Sequence, residues 1–361
     1  MPEFKHIRVL GFTLDSIDQP NSVAILIPHW NSWPFLKLCL KHIQKNQHKN
    51  LQETVYVLDD SSTDGSLGKA KVYFKDDKNI RFYRFNRPNK KQEPDVGLLL
   101  DYGLKLVKEQ YIACIDADVF PLTKDWLAFP IWLIEKYHCS SVGVDTGLSN
   151  AYRHKLKSGN WWQPDKGYIP CGGLYDNSWF TCTNNFYRVM PTALAKVVSE
   201  NIGFTRATPQ TKFQKLLRKI YNPRFPYLPG GEDNGVAANH FIDINRMGPK
   251  FNIPLTSYIG LTSKDGAFGQ NISSLAFHFA LSTRALSSER REVKDAGKSF
   301  KYWVNKLRQA KTINDQMPQQ MIAKSRRFKA GGYDGSIPVS WYKKEYQYIQ
   351  KLLKKYDQES E

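Results

Sequence analysis

The chain has 361 residues, of which 41% are hydrophobic and 24% are charged, and its mean hydropathy is −0.52. These values are typical of a soluble globular protein with a sizeable core, and no apolar run approaches the roughly 20 residues that a transmembrane helix needs. The net charge of +18 favours an anionic partner, which could be nucleic acid, an acidic membrane surface, or a phosphorylated or acidic substrate.

The first twenty residues and the cysteines indicate the cellular compartment in which the protein is expected. The first twenty residues lack the basic-then-apolar pattern of a signal peptide. The five cysteines occur singly, without zinc-like spacing, and their odd number argues against a full disulfide framework. We therefore expect a cytoplasmic protein, either free or peripheral to an anionic membrane, in which Cys39 and Cys114 are core thiols.

Strand-like and helix-like patterns alternate along the first third of the chain. A β-branched apolar strand at residues 22–27 is closed by Pro28, and a helix follows with Pro34 in its first turn. The later predicted elements are a strand at 54–58, a turn-rich acidic segment at 59–66, a strand at 80–85, a helix at 96–108 and a strand at 111–115. This alternation indicates a doubly wound α/β fold.

The strand predicted at 111–115 ends in two carboxylates, Asp116 and Asp118, which are separated by one residue. Open α/β sheets bind ligands beyond the carboxyl ends of their strands. Because alternate residues of a strand face the same side, both carboxylates are expected to converge on one ligand. Mg²⁺ and Mn²⁺ favour such oxygen donors. The alternative is a solvated acidic turn, which is the commoner origin of an isolated Asp-X-Asp.

Three motifs together resemble a known family. They are Ile-Pro-His-Trp-Asn at 27–31, Val-Leu-Asp-Asp-Ser-Ser-Thr-Asp-Gly-Ser at 57–66, and Ile-Asp-Ala-Asp at 115–118. In this order and spacing they resemble GT-A-fold glycosyltransferases of the family 2 type, closely over 21–130 and more loosely to about 285.

The resemblance implies a domain organisation. It implies a GT-A, Rossmann-like fold at 1–285, with a mostly parallel sheet flanked by helices. Residues 21–130 would form its nucleotide-sugar-binding half and residues 151–285 its acceptor half. Residues 286–361 are interpreted as a basic, helical C-terminal extension, and they match no motif of the family.

The family pattern also implies a pocket for the nucleotide base. Residues that match Pro28 and Trp30 line this pocket, where an indole face can stack on a base. Asp60 matches the carboxylate that accepts a hydrogen bond from the imide N–H of the base. Its neighbour Asp59 is expected to turn toward the sheet or the helix.

The metal site implied by the resemblance centres on the Asp-X-Asp motif. Asp116, with Ala117 beside it, is expected near the ribose or the metal, and Asp118 is expected to bind the metal. A C-terminal histidine often completes this site in the family, and His278 stands at about that place within an apolar stretch. A structural core histidine is the alternative. One departure is Asp101, which stands where the family often has Asn.

Acceptor residues are expected in the second half of the chain. Trp161 and Trp162 could form a stacking platform for a sugar, or one of them could be tucked into the core. Trp179 lies in a segment that resembles the family's sequence ahead of the acceptor site. Glu232 and Asp233 resemble the acidic pair at a helix start, where the ionised form of a general base is stabilised. Asp233 is the favoured base, and an acidic helix cap is the alternative.

These observations predict a metal-dependent, inverting glycosyltransferase that uses Mn²⁺ or Mg²⁺. The donor would be a nucleoside-diphosphate sugar, with UDP the family's commonest choice, and the acceptor a hydroxyl of a glycan, lipid-linked or protein acceptor. The Gln-X-X-Arg-Trp motif of processive members is missing, so single or few additions are expected.

Two rival functions remain open at this point. A nucleotidyltransferase also uses paired aspartates and a metal, but residues 28–32 lack its usual Gly-rich basic loop. A nucleic-acid-binding protein would explain the charge, but it does not need three acidic motifs at strand ends, which would repel phosphate. We therefore expect no specific nucleic-acid partner.

Overall fold

The computed structural model describes residues 21–86, 96–137, 139–145, 185–201, 250–253, 257–263, 266–272, 275–279 and 340–360. Within these ranges the chain forms eleven strands in two sheets, together with six helices. No helix in the described ranges is both long enough and apolar enough to cross a bilayer.

The strands are Ser22–His29 (β1), Gln52–Asp59 (β2), Ile80–Arg84 (β3), Tyr111–Ile115 (β4), Val119–Pro121 (β5), Ser141–Asp145 (β6), Asn185–Pro191 (β7), Lys250–Ile253 (β8), Ser257–Ser263 (β9), Gly266–Ile272 (β10) and Ala276–His278 (β11). The helices are Trp33–Lys45 (α1), Ser66–Tyr73 (α2), Val96–Leu104 (α3), Asp125–Tyr137 (α4), Thr192–Asn201 (α5) and Ser340–Ser360 (α6).

The larger sheet has the strand order β3-β2-β1-β4-β7-β6-β8. β1 pairs in parallel with β2 and β4, β2 with β3 and β6 with β8, whereas β7 runs antiparallel to β4 and β6. β1 and β4 are buried along their whole length, which explains their continuous apolar runs. The predicted fold class, a mostly parallel α/β sheet flanked by helices, is confirmed.

The two faces of this sheet bury different helices. In β1, Val23, Ile25 and Ile27 pack with α1, α2 and α4, whereas Ala24 and Leu26 pack with α3 and α5. This alternation follows from the two-residue period of a strand. Each face of the sheet thus has its own apolar core. The edge formed by the carboxyl ends of the strands lies between the two layers of helices.

Several element boundaries differ from the prediction, among them those of β1 and α3. β1 continues through Pro28 to His29 instead of ending at the proline. Because β1 pairs with β4 only up to Leu26, the missing N–H of Pro28 is tolerated there. α3 ends at Leu104 rather than at residue 108. The start of α1 agrees with the prediction, with Ser32 at the N-cap and a proline in the first turn.

The smaller sheet is antiparallel, in the order β5-β11-β10-β9. It begins with β5, directly after the turn that carries the paired aspartates, and its neighbour β11 returns from much later in the chain. The phenyl rings of Phe120 and Phe277 stack across this pair with centroids 5.9 Å apart. The pairing therefore fixes a late segment of the chain beside the carboxyl end of β4.

The C-terminal helix α6 packs on α4. Leu352 and Tyr356 are buried against the main core, and the Tyr356 hydroxyl donates a hydrogen bond to Asp125 Oδ1 at 3.0 Å. Glu359 accepts a hydrogen bond from Trp132 Nε1 at 3.0 Å and pairs with Lys136. This end of the chain is thus part of the packed structure, although the predicted domain boundaries stay a prediction.

Candidate active site

The candidate site lies where β1, β2 and β4 end at the same edge of the larger sheet. β1 stands between the other two strands, with His29 level with Asp59 of β2 and Leu26 level with Cys114 of β4. Neighbouring strands lie about 4.8 Å apart, so the segments that follow them come within reach of one ligand. All three sequence motifs are carried to this edge by the fold.

The turn after β4 brings two carboxylates and an imidazole together. Asp116, Asp118 and His278 each offer a ligand atom, and these three atoms all lie within 4.8 Å of one another. His278 Nε2 is 3.4 Å from Asp118 Oδ1 and 3.6 Å from Asp116 Oδ2. The predicted Asp-X-Asp and the late histidine are therefore brought into one cluster.

The aspartates converge for a different reason than strand alternation. They lie in a turn between β4 and β5, closed by the Val119 N–H, which donates to the Asp116 carbonyl oxygen at 3.0 Å. The turn also makes their exposure unequal, because the Asp118 side chain is 5% exposed and that of Asp116 is 36% exposed. The solvated acidic turn is therefore not what forms here, since one carboxylate faces inward toward the histidine.

His278 is fixed by strand pairing rather than by its neighbours in sequence. It pairs with Val119 in the β5–β11 ladder, and the N–H of Phe279 donates to the Asp118 carbonyl oxygen at 3.0 Å. The Phe279 ring also packs on Phe35 of α1, with centroids 4.9 Å apart. The imidazole is held beside both carboxylates by backbone and core contacts. Two oxygen donors and one nitrogen donor at this spacing fit a divalent cation.

The last residue of β2, Asp59, faces into the protein. Its Oδ1 lies 3.0 Å from His29 Nδ1, and its Oδ2 accepts a hydrogen bond from the Ser62 N–H at 3.1 Å. The Ser32 N–H donates to His29 Nε2 at 3.4 Å, which leaves Nδ1 as the nitrogen that donates to Asp59. Burial alone would raise the pKa of Asp59, but the hydrogen bonds from His29 and Ser62 outweigh it and lower the pKa.

Two residues with left-handed backbone tie the loops after β1 and β2 together. Asn31 has φ 45°, and its N–H donates to Ser62 Oγ at 3.0 Å while its Oδ1 accepts from the Thr63 N–H at 2.8 Å. Ser61 has φ 55°, and its hydroxyl donates to the Phe85 carbonyl oxygen at 2.8 Å. Non-glycine residues rarely adopt such angles, so these bonds hold a defined loop conformation.

The predicted base-pocket residues lie in or next to these loops. Pro28 is buried near the end of β1, and Trp30, which follows the strand, is half-buried. Asp60 is buried, and its N–H donates to the His29 carbonyl oxygen at 2.9 Å. Ala117, buried in the turn between the paired aspartates, lies across β1 from this group. The roles assigned to these residues stay predictions.

The predicted acceptor residues lie outside the described ranges. They are Trp161, Trp162, Trp179, Glu232 and Asp233.

A buried arginine near the site was not predicted. Arg188 of β7 is level with Cys114 of β4, and its Nη1 donates to Ser141 Oγ at 2.7 Å. Burial raises the pKa of Cys114 to about 12, with Arg188 opposing and Asp116 and Asp101 adding to the rise. The Arg188 guanidinium and the carboxylates of Asp116 and Asp101 thus all act on the Cys114 thiol. In the sequence, Arg188 stands out as the single cationic residue of β7.

Residues 24–189 match the model of glycosyl transferase family 2. Over these residues the chain is similar to family 2 glycosyl transferases. The match begins in β1 and ends in β7, so it contains all three sequence motifs and both aspartates of the cluster. It confirms the family resemblance and the enzyme class predicted from the motifs.

Similar proteins include "Glycosyltransferase GlyG" from Streptococcus pneumoniae serotype 4. It is 21% identical over 141 residues, which are 39% of this chain and 42% of that protein, so the chain matches less than half the length of this relative.

Among solved structures, the mannosyltransferase PcManGT from Pyrobaculum calidifontis, in complex with GDP-Man and Mn²⁺, is 12% identical. The match covers 64% of this chain and 54% of that one, with a TM-score of 0.42. S. aureus TarS 1–349 in complex with UDP-GlcNAc is 15% identical, covering 85% and 73%, also with a TM-score of 0.42. Glucosyl-3-phosphoglycerate synthase from Mycobacterium tuberculosis is 14% identical, covering 67% and 73%, with a TM-score of 0.39.

Proposed function

We propose that this protein transfers a sugar from a nucleoside-diphosphate sugar to an acceptor hydroxyl, with a divalent cation at the cluster of Asp116, Asp118 and His278. The observation that carries the proposal is the convergence of these three side chains within a family 2 domain, at the edge where its nucleotide-binding motifs end. The histidine comes from a distant strand and lies against two carboxylates, an arrangement that suits metal binding.

The donor base is proposed to bind against the loops after β1 and β2. Trp30 would stack on the base, Pro28 would line the pocket beneath it, and the Asp60 carboxylate would accept a hydrogen bond from an imide N–H. This preference for an imide N–H makes a uracil base, and hence a UDP-sugar, the proposed donor. The support is the network of Asn31 and Asp59, which holds the backbone of both loops in place.

The cation would be held by Asp116, Asp118 and His278, with Ala117 beside the nucleotide. When bound, it supplies positive charge that stabilises the diphosphate leaving group. Carboxylate oxygens suit Mg²⁺ and Mn²⁺, whereas an imidazole nitrogen suits transition metals, so the mixed donor set favours Mn²⁺. His278 would act as a neutral ligand through Nε2, the nitrogen nearer to both carboxylates.

Transfer itself is proposed as one direct displacement. The acceptor oxygen forms a bond to the anomeric carbon while the bond from that carbon to the diphosphate oxygen breaks, which inverts the configuration. Asp233 would take the proton of the acceptor hydroxyl, and Glu232 would orient the acceptor. Trp161, Trp162 and Trp179 would stack on its sugar faces. The support for these roles is the acidic pair and the tryptophans of the sequence alone.

A nucleotide-sugar hydrolysis screen tests the proposal. The purified protein is incubated with UDP- and GDP-sugars in Mn²⁺ or Mg²⁺, and sugar release is measured for each donor. We expect release from a UDP-sugar that depends on the cation. Asp118→Asn should reduce it more than about tenfold, on the scale of losing a charge-stabilising group. Asp76→Asn, which removes an exposed carboxylate beyond α2, is the matched control and should be as active as the wild type.

The proposal fails if no donor is hydrolysed with either cation. The metal assignment fails separately if Asp118→Asn retains more than a tenth of the wild-type rate at saturating Mn²⁺.

A further inference from the structure

One exposed surface of the molecule is apolar and basic at once. It is formed by α1 and α2, which lie side by side on the same face of the larger sheet. We call it the α1–α2 face and define it by six residues: Trp33, Lys37, Lys41, Lys69, Val72 and Tyr73. It takes no part in the proposed transfer chemistry.

The apolar part of this face is accessible to solvent. Val72 is 73% exposed and Tyr73 is 47% exposed, and they are the exposed large hydrophobic residues of the described ranges. The Trp33 ring meets the edge of Tyr73 with centroids 5.9 Å apart. These three side chains line an open groove of about 430 Å³. Clustered exposed apolar side chains of this kind mark contact surfaces for membranes or other proteins.

Lysines surround the apolar groove. Lys37 Nζ lies 4.4 Å from the centre of the Tyr73 ring, and Lys41 Nζ lies 5.8 Å from it. Lys69 lines the groove from α2, opposite Lys37. No carboxylate or amide side chain is among the residues that line this groove. The face therefore presents positive charge around an apolar centre.

We propose that the α1–α2 face docks on an anionic lipid bilayer. Val72, Tyr73 and Trp33 would enter the boundary between headgroups and acyl chains, where aromatic rings with a polar edge are favoured. The lysines would contact lipid phosphates, and the charge of +18 over the chain attracts it to such a surface. A sugar chain is a poorer occupant, because no carboxylate or amide side chain lines the groove to accept hydrogen bonds from its hydroxyls. A second copy is disfavoured, because the two lysine-rich faces would repel each other.

Docking in this way would bring the candidate site close to the bilayer. Trp33 is the first residue of α1 and follows directly on the loop that contains Asn31, at the edge of the sheet where the site lies. An acceptor at the membrane surface would then be near the donor loops. The docking itself does not depend on catalysis, so it is tested without any donor or acceptor.

The test is co-sedimentation with vesicles of phosphatidylcholine alone or mixed with phosphatidylglycerol, at two salt concentrations. We expect the wild type to bind the mixed vesicles only, and more weakly at high salt. Lys37→Glu with Lys69→Glu should weaken binding by about tenfold or more, since each basic residue contributes at a membrane surface. Val72→Ser should weaken it by up to about tenfold through loss of apolar contact.

The control is Lys105→Glu with Lys108→Glu, which makes the same charge change at exposed positions beyond α3, on the opposite face of the sheet. This variant should bind nearly as well as the wild type. The proposal is overturned if the wild type does not bind mixed vesicles, or if both charge-reversal pairs weaken binding equally. It is also overturned if sedimentation velocity shows a dimer that Lys37→Glu with Lys69→Glu abolishes, because the occupant would then be a second copy.

Discussion

At the scale of single residues, the neighbouring residues Asp59 and Asp60 make different contacts at the end of β2. Asp59 ends β2 and turns inward to His29 and the Ser62 N–H, while Asp60 begins the loop and is anchored by its own N–H to the His29 carbonyl oxygen. Both residues are buried, but successive residues of an extended chain face opposite ways, so the two carboxylates meet different surroundings. We infer that Asp59 holds the loop, and we propose that Asp60 binds the donor base.

Replacing Asp59 by Asn tests this division. The amide keeps the size of the side chain but sets an N–H₂ against a donor, so we expect a loss of about 1–3 kcal/mol in the free energy of unfolding. Because the folded pKa of Asp59 is lowered, its contribution is present above the unfolded pKa and is lost as the pH falls through the folded pKa. Urea unfolding at neutral and acidic pH measures both effects. Asp76→Asn is the control, and an Asp59→Asn protein as stable as that control at neutral pH would contradict the assignment.

The raised pKa of Glu53 predicts that stability depends on pH in the direction opposite to that expected from Asp59. Burial raises the pKa of this carboxyl from 4.5 to about 7, and the hydrogen bond from the His48 N–H opposes the rise only in part. The folded state therefore keeps a proton that the unfolded chain has already lost, so stability falls as the pH rises from about 4.5 to 7. The shift corresponds to a change on the order of 3 kcal/mol. Glu53→Gln should remove this dependence, and thermal unfolding from pH 4.5 to 8 measures it. A wild type and variant with parallel pH profiles would contradict the prediction.

At the scale of elements, the close approach of α3 to the sheet depends on Gly103. A Cβ atom there would lie 2.5 Å from Leu58 Cδ1 and 3.5 Å from Leu26 Cδ2. Both leucines are fully buried strand residues, so they have little room to move. α3 can thus pack closely on β1 and β2 because Gly103 has no side chain.

Two alanine substitutions should therefore have opposite effects. Gly103→Ala should destabilise the protein by about 1–3 kcal/mol through overpacking. Gly68 lies in α2, and a Cβ there meets nothing within 4 Å, so Gly68→Ala should stabilise by up to about 1 kcal/mol. Chemical denaturation of both variants beside the wild type measures the difference. If Gly103→Ala is as stable as Gly68→Ala, α3 packs less tightly on the sheet than these contacts imply, and the prediction is wrong.

At the scale of the whole molecule, local patterns predicted the parallel core and its strand-end motifs. Fully buried strands such as β1 and β4 appear in the sequence as continuous apolar runs. A carboxylate directly after such a run therefore marks the end of the strand in the sequence. The place of His278 could be predicted only by resemblance, because it depends on the pairing of β5 with β11, two strands of three residues from distant parts of the chain. The bond between His29 and Asp59 was missed because it requires the register of β1 with β2.

We propose that Asp116, Asp118 and His278 form one metal centre, and direct measurement of Mn²⁺ binding tests this proposal. Free Mn²⁺ is followed by electron paramagnetic resonance during titration of the wild type, Asp118→Asn, His278→Ala and the control His48→Ala, without nucleotide. His48 also lies near a carboxylate, at 4.0 Å from Asp125, but belongs to no cluster of three ligands in the described ranges. We predict that the wild type and His48→Ala bind one Mn²⁺ with equal affinity, whereas the other two variants bind it at least about tenfold more weakly. A wild type that binds no Mn²⁺, or Asp118→Asn and His278→Ala proteins that bind it as tightly as the wild type, would contradict the claim.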